Sequence, residues 1–135
     1  MRIIFDWIVP SKKNSKQVFC QRRGKKIIPV VLPSTAYQDW HKEESEKLKN
    51  VEKIEWWNLK FYYKFFIPKN KDWSMPARKF DYSNKIESIN DLLVDLWIIE
   101  DDNYSIISEV FIDSEIVEFW EWKVELNIEK QLNMF

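Results

Sequence analysis

Five carboxylates lie close together in the sequence around one short predicted helix. They all fall between residues 78 and 103 and are Asp81, Glu87, Asp91, Asp101 and Asp102. Carboxylates held near one another repel unless a cation lies between them, so such crowding is typical of a divalent metal site. The ligands are hard oxygens, and the chain has a single cysteine and a single histidine. The pattern therefore predicts Mg²⁺ or Mn²⁺ rather than zinc.

The same segment has the spacing of an amphipathic helix. Apolar residues recur at intervals of three and four, which predicts a stripe that faces the core: Ile86, Ile89, Leu92, Leu93 and Leu96. Glu87, Asp91 and Asp95 then share the polar side. The alternative interpretation is a solvated acidic helix face, since charges at spacings of four are common on protein surfaces.

The ends of this helix are also predicted. Asp81 or Ser83 is expected to cap its start by accepting a hydrogen bond from a free backbone N–H group. The apolar run 96–99 comes after the helix and is expected to return the chain to the core. That return would leave Asp101 and Asp102 near the polar side of the helix.

Three parts of this segment resemble the motif of the RusA type of Holliday-junction resolvase, a family of small, often prophage-encoded endonucleases. The motif is an Asp-x-Asp-Asn cluster that opens a helix, a helical Asp-x-Leu, and an Asp-Asp pair before a strand. The matching residues here are 81–84, 91–93 and 100–103. The loop 10–16 also resembles the opening loop of the family, in which a proline precedes a Lys-Asn or Asn-Arg pair. The resemblance therefore covers most of the chain.

This resemblance implies a single α+β domain over residues 1–130, with a mixed or antiparallel sheet packed with two main helices. It implies a magnesium-dependent endonuclease that resolves Holliday junctions or other branched DNA in recombination and repair. Cutting a four-way junction on two symmetric strands calls for two active sites related by a two-fold axis, so a homodimer is expected. A bacterial or phage-encoded protein of this kind is expected in the cytoplasm.

The resemblance also suggests a role for each carboxylate. Asp81 and Asp102 are the first expected metal ligands. Glu87, Asp91 and Asp101 are expected beside them, as further ligands, as orienting residues, or as the base that positions water. A magnesium ion there would lower the pKa of a bound water and neutralise charge on the scissile phosphate.

Two residues depart from the family pattern. Ser83 stands where the resolvases usually carry a second metal-binding aspartate, and Glu87 stands where the best-known members have a lysine. Two interpretations follow. Either Glu87 swings toward the metal and Lys85 supplies the missing cation, or the site binds DNA without cutting it.

Positive charge is concentrated in the first part of the chain. Residues 1–85 hold 19 lysine and arginine residues against 9 acidic ones, whereas residues 86–135 hold 2 against 13. The basic residues are either ordinary solubilising charge or phosphate contacts, and the candidates are Lys12, Lys13, Lys16, Arg22, Arg23, Lys25, Lys26, Lys69, Lys71, Arg78 and Lys79. In the basic loop 68–79, Trp73 and Met75 either stack on an opened junction or pack over the core.

The last five residues carry a separate signal. They resemble the pentapeptide, commonly Gln-Leu-x-Leu-Phe, with which bacterial replication and repair proteins bind the sliding clamp. In that mode Gln131 would bond in a polar subsite, while Leu132, Met134 and Phe135 would fill an apolar groove. The alternative is a tail that folds back onto the sheet.

Alternation and turn residues predict the other elements. They are a strand at 1–9, a hairpin of 18–21 and 27–32, a helix from about 34 to 50, a strand at 58–67, and two antiparallel strands, 106–112 and 117–128, that turn near 113–114. One cysteine excludes an internal disulfide, and one glycine excludes glycine-rich nucleotide loops. No signal peptide or long apolar run is found, so no membrane partner is expected. A purely structural phage protein is the third interpretation.

Overall fold

Six strands and two helices form the described part of the chain. The computed structural model describes residues 1–6, 9–11, 16–55, 57–75 and 81–130, and between 16 and 33 it describes the side chains of residues 22 and 24–27 only. In chain order the elements are β1 (Arg2–Asp6), β2 (Lys16–Arg23), β3 (Lys26–Pro33), α1 (Thr35–Leu48), β4 (Leu59–Pro68), α2 (Tyr82–Asp95), β5 (Ile107–Val117) and β6 (Lys123–Lys130).

Four of these strands form one mixed sheet in the order β1-β6-β4-β5, and β2 and β3 form a separate hairpin. The central strand β4 pairs antiparallel with β6 and parallel with β5. Parallel neighbours need a crossover connection, and α2 lies in the connection from the end of β4 to the start of β5. The predicted α+β domain with a mixed sheet and two helices is confirmed.

The core lies between the sheet and the helices. Alternate residues of β4 point into it, each at most 2% exposed: Leu59, Phe61, Tyr63 and Phe65. The centre of the predicted stripe on α2 is fully buried against this core: Ile89, Leu92 and Leu93. The other helix, α1, contributes three residues to the core: Tyr37, Trp40 and Leu48.

Both helices begin at a polar cap. The hydroxyl of Ser34 accepts a hydrogen bond from the backbone N–H of Tyr37 at 3.2 Å, and Asp81 accepts one from the backbone N–H of Ser83 at 2.9 Å. Asp81 is therefore the cap of α2, as one of the two predictions has it. Just beyond the end of α2, Trp97 takes a left-handed φ of 58°, a common way for a helix to stop. Both helices have 14 residues, and neither described helix is long and apolar enough to cross a membrane.

The predicted hairpin forms, and it turns at the chain's lone glycine. β2 and β3 pair antiparallel along their length and leave Gly24 and Lys25 as a two-residue turn. Gly24 has a φ of 63°, a conformation that residues with a side chain disfavour. The exposed side chains of Arg22, Lys25 and Lys26 lie around this turn.

The prediction for the last two strands is wrong. β5 does not turn at 113–114 but continues to Val117, and β4 lies between β5 and β6, so these two strands do not pair as a hairpin. Aspartate and serine favour turns, which is why the sequence predicts one there. Pairing with β4 overrides that preference, because Asp113 and Ser114 lie opposite Lys64 and Phe65 in the parallel ladder.

Candidate functional site

Asp81 lies exposed at the start of α2, where its carboxylate is already engaged. Oδ1 accepts hydrogen bonds from the backbone N–H of Ser83 at 2.9 Å and from the Ser83 hydroxyl at 2.7 Å. Ser83 is the residue that departs from the resolvase pattern. Its hydroxyl donates to the neighbouring carboxylate, whereas an aspartate at this position would add a second negative charge.

Asp101 and Asp102 form a carboxylate pair in the loop after α2. Oδ1 of Asp101 accepts from the backbone N–H of Asp102 at 2.8 Å, and Oδ2 accepts from the side-chain amide of Asn103 at 2.9 Å. These hydrogen bonds hold the pKa of Asp101 below its ordinary value. Partial desolvation raises the pKa of Asp102, and the hydrogen bond and charge of Asp101 raise it further.

Asp91 lies near this pair, in the second half of α2. Its negative charge also contributes to the raised pKa of Asp102. On α1, burial and then the charges of Asp91, Asp95 and Glu87 raise the pKa of Tyr37 to about 12. The three carboxylates thus act on the same neighbour, which confirms that they share one side of the helix.

Tyr63 joins this end of α2 to the sheet. Its hydroxyl donates a hydrogen bond to Oδ1 of Asn90, the residue before Asp91. Burial raises the pKa of Tyr63, and the charge of Asp102 raises it further. Asp102 therefore lies close to the middle of β4, on the face that α2 covers.

The helix itself separates Asp81 from the other carboxylates. Asp91 comes ten residues after Asp81, which at the helical rise of 1.5 Å per residue is about 15 Å along the axis. Within one copy, Asp81 caps the start of α2, whereas Asp91, in the second half of the helix, contributes its charge to the raised pKa of Asp102. Among the described residues, no three side chains of histidine, cysteine, aspartate or glutamate are placed to hold one metal ion.

Lys85 and Glu87 lie between these two ends. The side chain of Lys85 is half-buried and that of Glu87 is exposed. Glu87 is one helical turn beyond Ser83, as its spacing requires. The idea that Glu87 replaces the lost carboxylate and Lys85 the lost cation stays a prediction.

The predicted phosphate contacts that have described side chains lie in two places. Arg22, Lys25 and Lys26 are at the hairpin turn, and Lys69 and Lys71 are in the loop after β4. Lys16 and Arg23 belong to β2, although their side chains lie outside the described set. Four predicted phosphate contacts fall outside the described residues: Lys12, Lys13, Arg78 and Lys79.

A group of exposed apolar side chains lies at the end of β4 and β5, and we call it the aromatic rim. It consists of Trp73 (57% exposed), Met75 (60%), Phe119 (36%) and Trp120 (60%). Packing of Trp73 and Met75 over the core, one of the two sequence interpretations, is therefore wrong. The predicted strand 117–128 includes Trp120, and this placement is also wrong, because Trp120 lies in the turn between β5 and β6. Trp73 and Trp120 lie outside the strands and helices, where no periodic pattern of apolar residues exists, so the sequence gives no basis for predicting their exposure.

The C-terminal residues 131–135, with the predicted clamp-binding Gln131, Leu132, Met134 and Phe135, lie outside the described residues. No family model matches the chain, and a search of curated proteins gives no match. The functional assignment therefore depends on the residues themselves and on the resemblance of their motifs.

Proposed function

We propose that this chain is a RusA-like, structure-selective DNA endonuclease that acts on Holliday junctions or other branched DNA in recombination or repair. The observation that carries the proposal is the crowding of Asp91, Asp101 and Asp102, with the pKa of Asp102 raised first by partial desolvation and then by its acidic neighbours. Like charges held together in this way are unfavourable for a purely structural surface. They favour a site that receives a cation, and magnesium or manganese is the proposed cofactor.

The helix between Asp81 and Asp91 bears on how such a site is built. Because about 15 Å of helix separates Asp81 from Asp91, whose charge acts on Asp102, we propose that the active unit is a homodimer in which Asp81 of one copy meets Asp102 of the other. A two-fold axis that brings one such pair together brings the second pair together as well. Two equivalent sites would result, which is what paired cuts on a four-way junction require.

The basic residues provide the proposed DNA contacts. Lysines and arginines bind the phosphate backbone largely without sequence preference and release counterions. The hairpin turn presents Arg22, Lys25 and Lys26, and the loop after β4 presents Lys69 and Lys71. A strong dependence of junction affinity on salt is expected.

The experiment is incubation of the purified protein with a synthetic four-way junction and Mg²⁺. Symmetric nicks that need the metal and disappear in Asp81→Asn and Asp102→Asn support the proposal. Tight junction binding without nicks, in Mg²⁺ or Mn²⁺, would assign a different function.

The second candidate is a branched-DNA-binding accessory protein that does not cut. Its supporting observation is Ser83, whose hydroxyl bonds to Asp81 where the family carries a further carboxylate. In either case the chain is proposed to act in a bacterial cytoplasm, host-encoded or phage-encoded, and to bind the sliding clamp through Gln131 to Phe135. A protein with no affinity for junction DNA would instead be a structural phage protein.

A further inference from the structure

The aromatic rim joins two separate loops through their aromatic rings. Trp73, from the loop after β4, meets Trp120, from the turn between β5 and β6, with ring centroids 6.1 Å apart and planes at 86°. Phe119 meets Trp120 in the same edge-to-face way at 4.9 Å. An edge-to-face pair leaves ring faces uncovered, and both tryptophans remain more than half exposed. Large apolar side chains grouped at a surface in this way mark interaction sites.

The loop that carries Trp73 is held in place by its own hydrogen bonds. The backbone N–H of Asn70 donates to the carbonyl of Ser74 at 2.9 Å, and the backbone N–H of Trp73 donates to the carbonyl of Asn70 at 2.9 Å. Asp72 accepts from the backbone N–H of Ser74 at 3.0 Å and from its hydroxyl at 2.5 Å. Trp73 itself has a left-handed φ of 70°, a conformation that is unfavourable for a residue with a side chain. The loop thus holds an unfavourable backbone conformation that presents an indole to solvent.

The second loop is fixed to the first through the sheet. The backbone N–H of Lys69 donates to the carbonyl of Val117 at 2.8 Å, so both loops leave the same end of β4 and β5. Within the turn, the backbone N–H of Glu121 donates to the carbonyl of Glu118 at 2.9 Å. The two tryptophans are therefore positioned before any partner arrives, which lowers the entropy that binding has to overcome.

Two lysines near Trp73 favour a nucleic acid as the partner. Lys69 and Lys71 lie in the same loop as Trp73. Nearby on the sheet, the Nζ atoms of Lys64 and Lys123 lie 5.2 Å and 4.8 Å from the ring centre of Phe66, and each lysine also pairs with a glutamate. Cations that alternate with aromatic rings are the pattern by which proteins hold single strands, through phosphate attraction and base stacking.

We infer that the aromatic rim binds unpaired DNA bases, which stack on Trp73 and Trp120 while Lys69 and Lys71 contact the phosphates. Glu118 and Glu121 in the other loop repel phosphate, so the strand backbone runs on the lysine side. This inference rests on the proposed function and deepens it. A branched junction offers unpaired bases near its crossing point, and these are the bases that the rim would bind. Asp81 follows Met75 by only six residues, which limits their separation to about 20 Å.

The test is the affinity for a fluorescent oligo(dT) strand in EDTA, measured by anisotropy with Trp73→Ala and Trp120→Ala. Trp57→Ala is the matched control, because Trp57 is 65% exposed and is not part of the rim. Each rim variant is expected to weaken binding roughly 5- to 100-fold, the range for loss of one stacked base. The control should stay within about twofold, since it removes no stacking partner. Trp73→Phe and Trp120→Phe should restore much of the affinity, because a phenyl ring also stacks.

Rim variants that bind oligo(dT) as well as Trp57→Ala does would overturn the inference. So would rim variants that keep DNA affinity but change the oligomeric state in sedimentation, because the patch would then serve a second copy of the chain. If circular dichroism shows that Trp73→Ala does not fold, the oligo(dT) affinities of Trp120→Ala, Trp73→Phe and Trp120→Phe test the inference instead. The binding assay contains no metal, so it does not depend on cleavage. If the protein fails to cut junctions, rim-dependent binding of oligo(dT) is still expected.

Discussion

Asp101 accepts a hydrogen bond from the backbone N–H of Asp102, and the two neighbouring carboxyl groups have pKa values shifted in opposite directions. We predict that Asp101→Asn lowers the pKa of Asp102 part of the way toward its ordinary value. The charge of Asp101 is lost, whereas desolvation, the largest cause, remains. Carbon-detected NMR titration of the aspartate carboxyls measures this shift.

The control for that titration is Asp113→Asn. Asp113 lies six residues into β5 from Ile107, about 20 Å along the strand, so the pKa of Asp102 should not respond to it. An equal response to both substitutions would mean that the two carboxyls of the pair do not interact as described.

The Asp81 cap allows stability to be separated from chemistry. Asp81→Ala is expected to lower the free energy of unfolding by about 0.5–2 kcal/mol, because the backbone N–H of Ser83 loses its acceptor. Asp81→Asn should change it much less, since asparagine also caps helices. Urea denaturation of both variants checks this, with Ser34→Ala at the start of α1 as a matched cap. If Asp81→Asn is destabilised as much as Asp81→Ala, a loss of activity in Asp81→Asn cannot be attributed to the loss of a metal ligand.

Glu44 predicts a pH dependence of stability. It is 3% exposed on α1, one oxygen pairs with Lys47 at 2.9 Å, and burial raises its pKa despite that lysine. The folded state therefore binds the proton more strongly than the unfolded state, so this group makes the protein less stable as pH rises through its folded pKa. Glu44→Gln should gain stability relative to the wild type as pH rises from about 4.5 through the raised folded pKa of Glu44, and then level off.

Denaturant unfolding of both proteins at several pH values measures that difference. Glu46→Gln, an exposed residue on the same helix, is the control and should show little change. A difference between Glu44→Gln and the wild type that is independent of pH would show that burial does not perturb Glu44.

The tail predicts a separable interaction. Deleting Gln131 to Phe135 should abolish binding to a purified bacterial sliding clamp and leave affinity for the four-way junction unchanged. A short extended peptide carries its own contacts, so its removal should not reach the DNA-binding residues. Surface plasmon resonance on immobilised clamp provides the measurement, and undiminished clamp binding after the deletion would rule out the tail as the clamp ligand.

Local pattern was enough to predict α2 but not β5. The spacing of Ile89, Leu92 and Leu93 reports directly on one side of a helix, so both the helix and its buried stripe follow from sequence. In β5, Asp113 and Ser114 favour a turn, but pairing at ten positions along β4 keeps the strand extended. That pairing is a tertiary effect and cannot be predicted from the neighbouring residues alone.

The candidate site shows the same limit. The cap of α2 and the side that Asp91 shares with Glu87 are local properties: the sequence predicts the shared side and narrows the cap to Asp81 or Ser83. Whether Asp81 meets Asp102 depends on the direction in which α2 crosses the sheet. Sequence spacing does not carry that direction, so the motif alone does not predict whether the two residues meet.

Junction cleavage by mixed dimers tests the proposed shared site most directly. Copies carrying Asp81→Asn and copies carrying Asp102→Asn are produced together, and the heterodimer is isolated through two different affinity tags. In a shared arrangement one of its two sites regains both aspartates, so we predict nicking of one strand at about half the wild-type rate, whereas each homodimeric variant is inactive. A heterodimer as inactive as its parents, beside a wild type that cuts, would contradict a site built from two copies, and a wild type that never cuts would contradict the endonuclease itself.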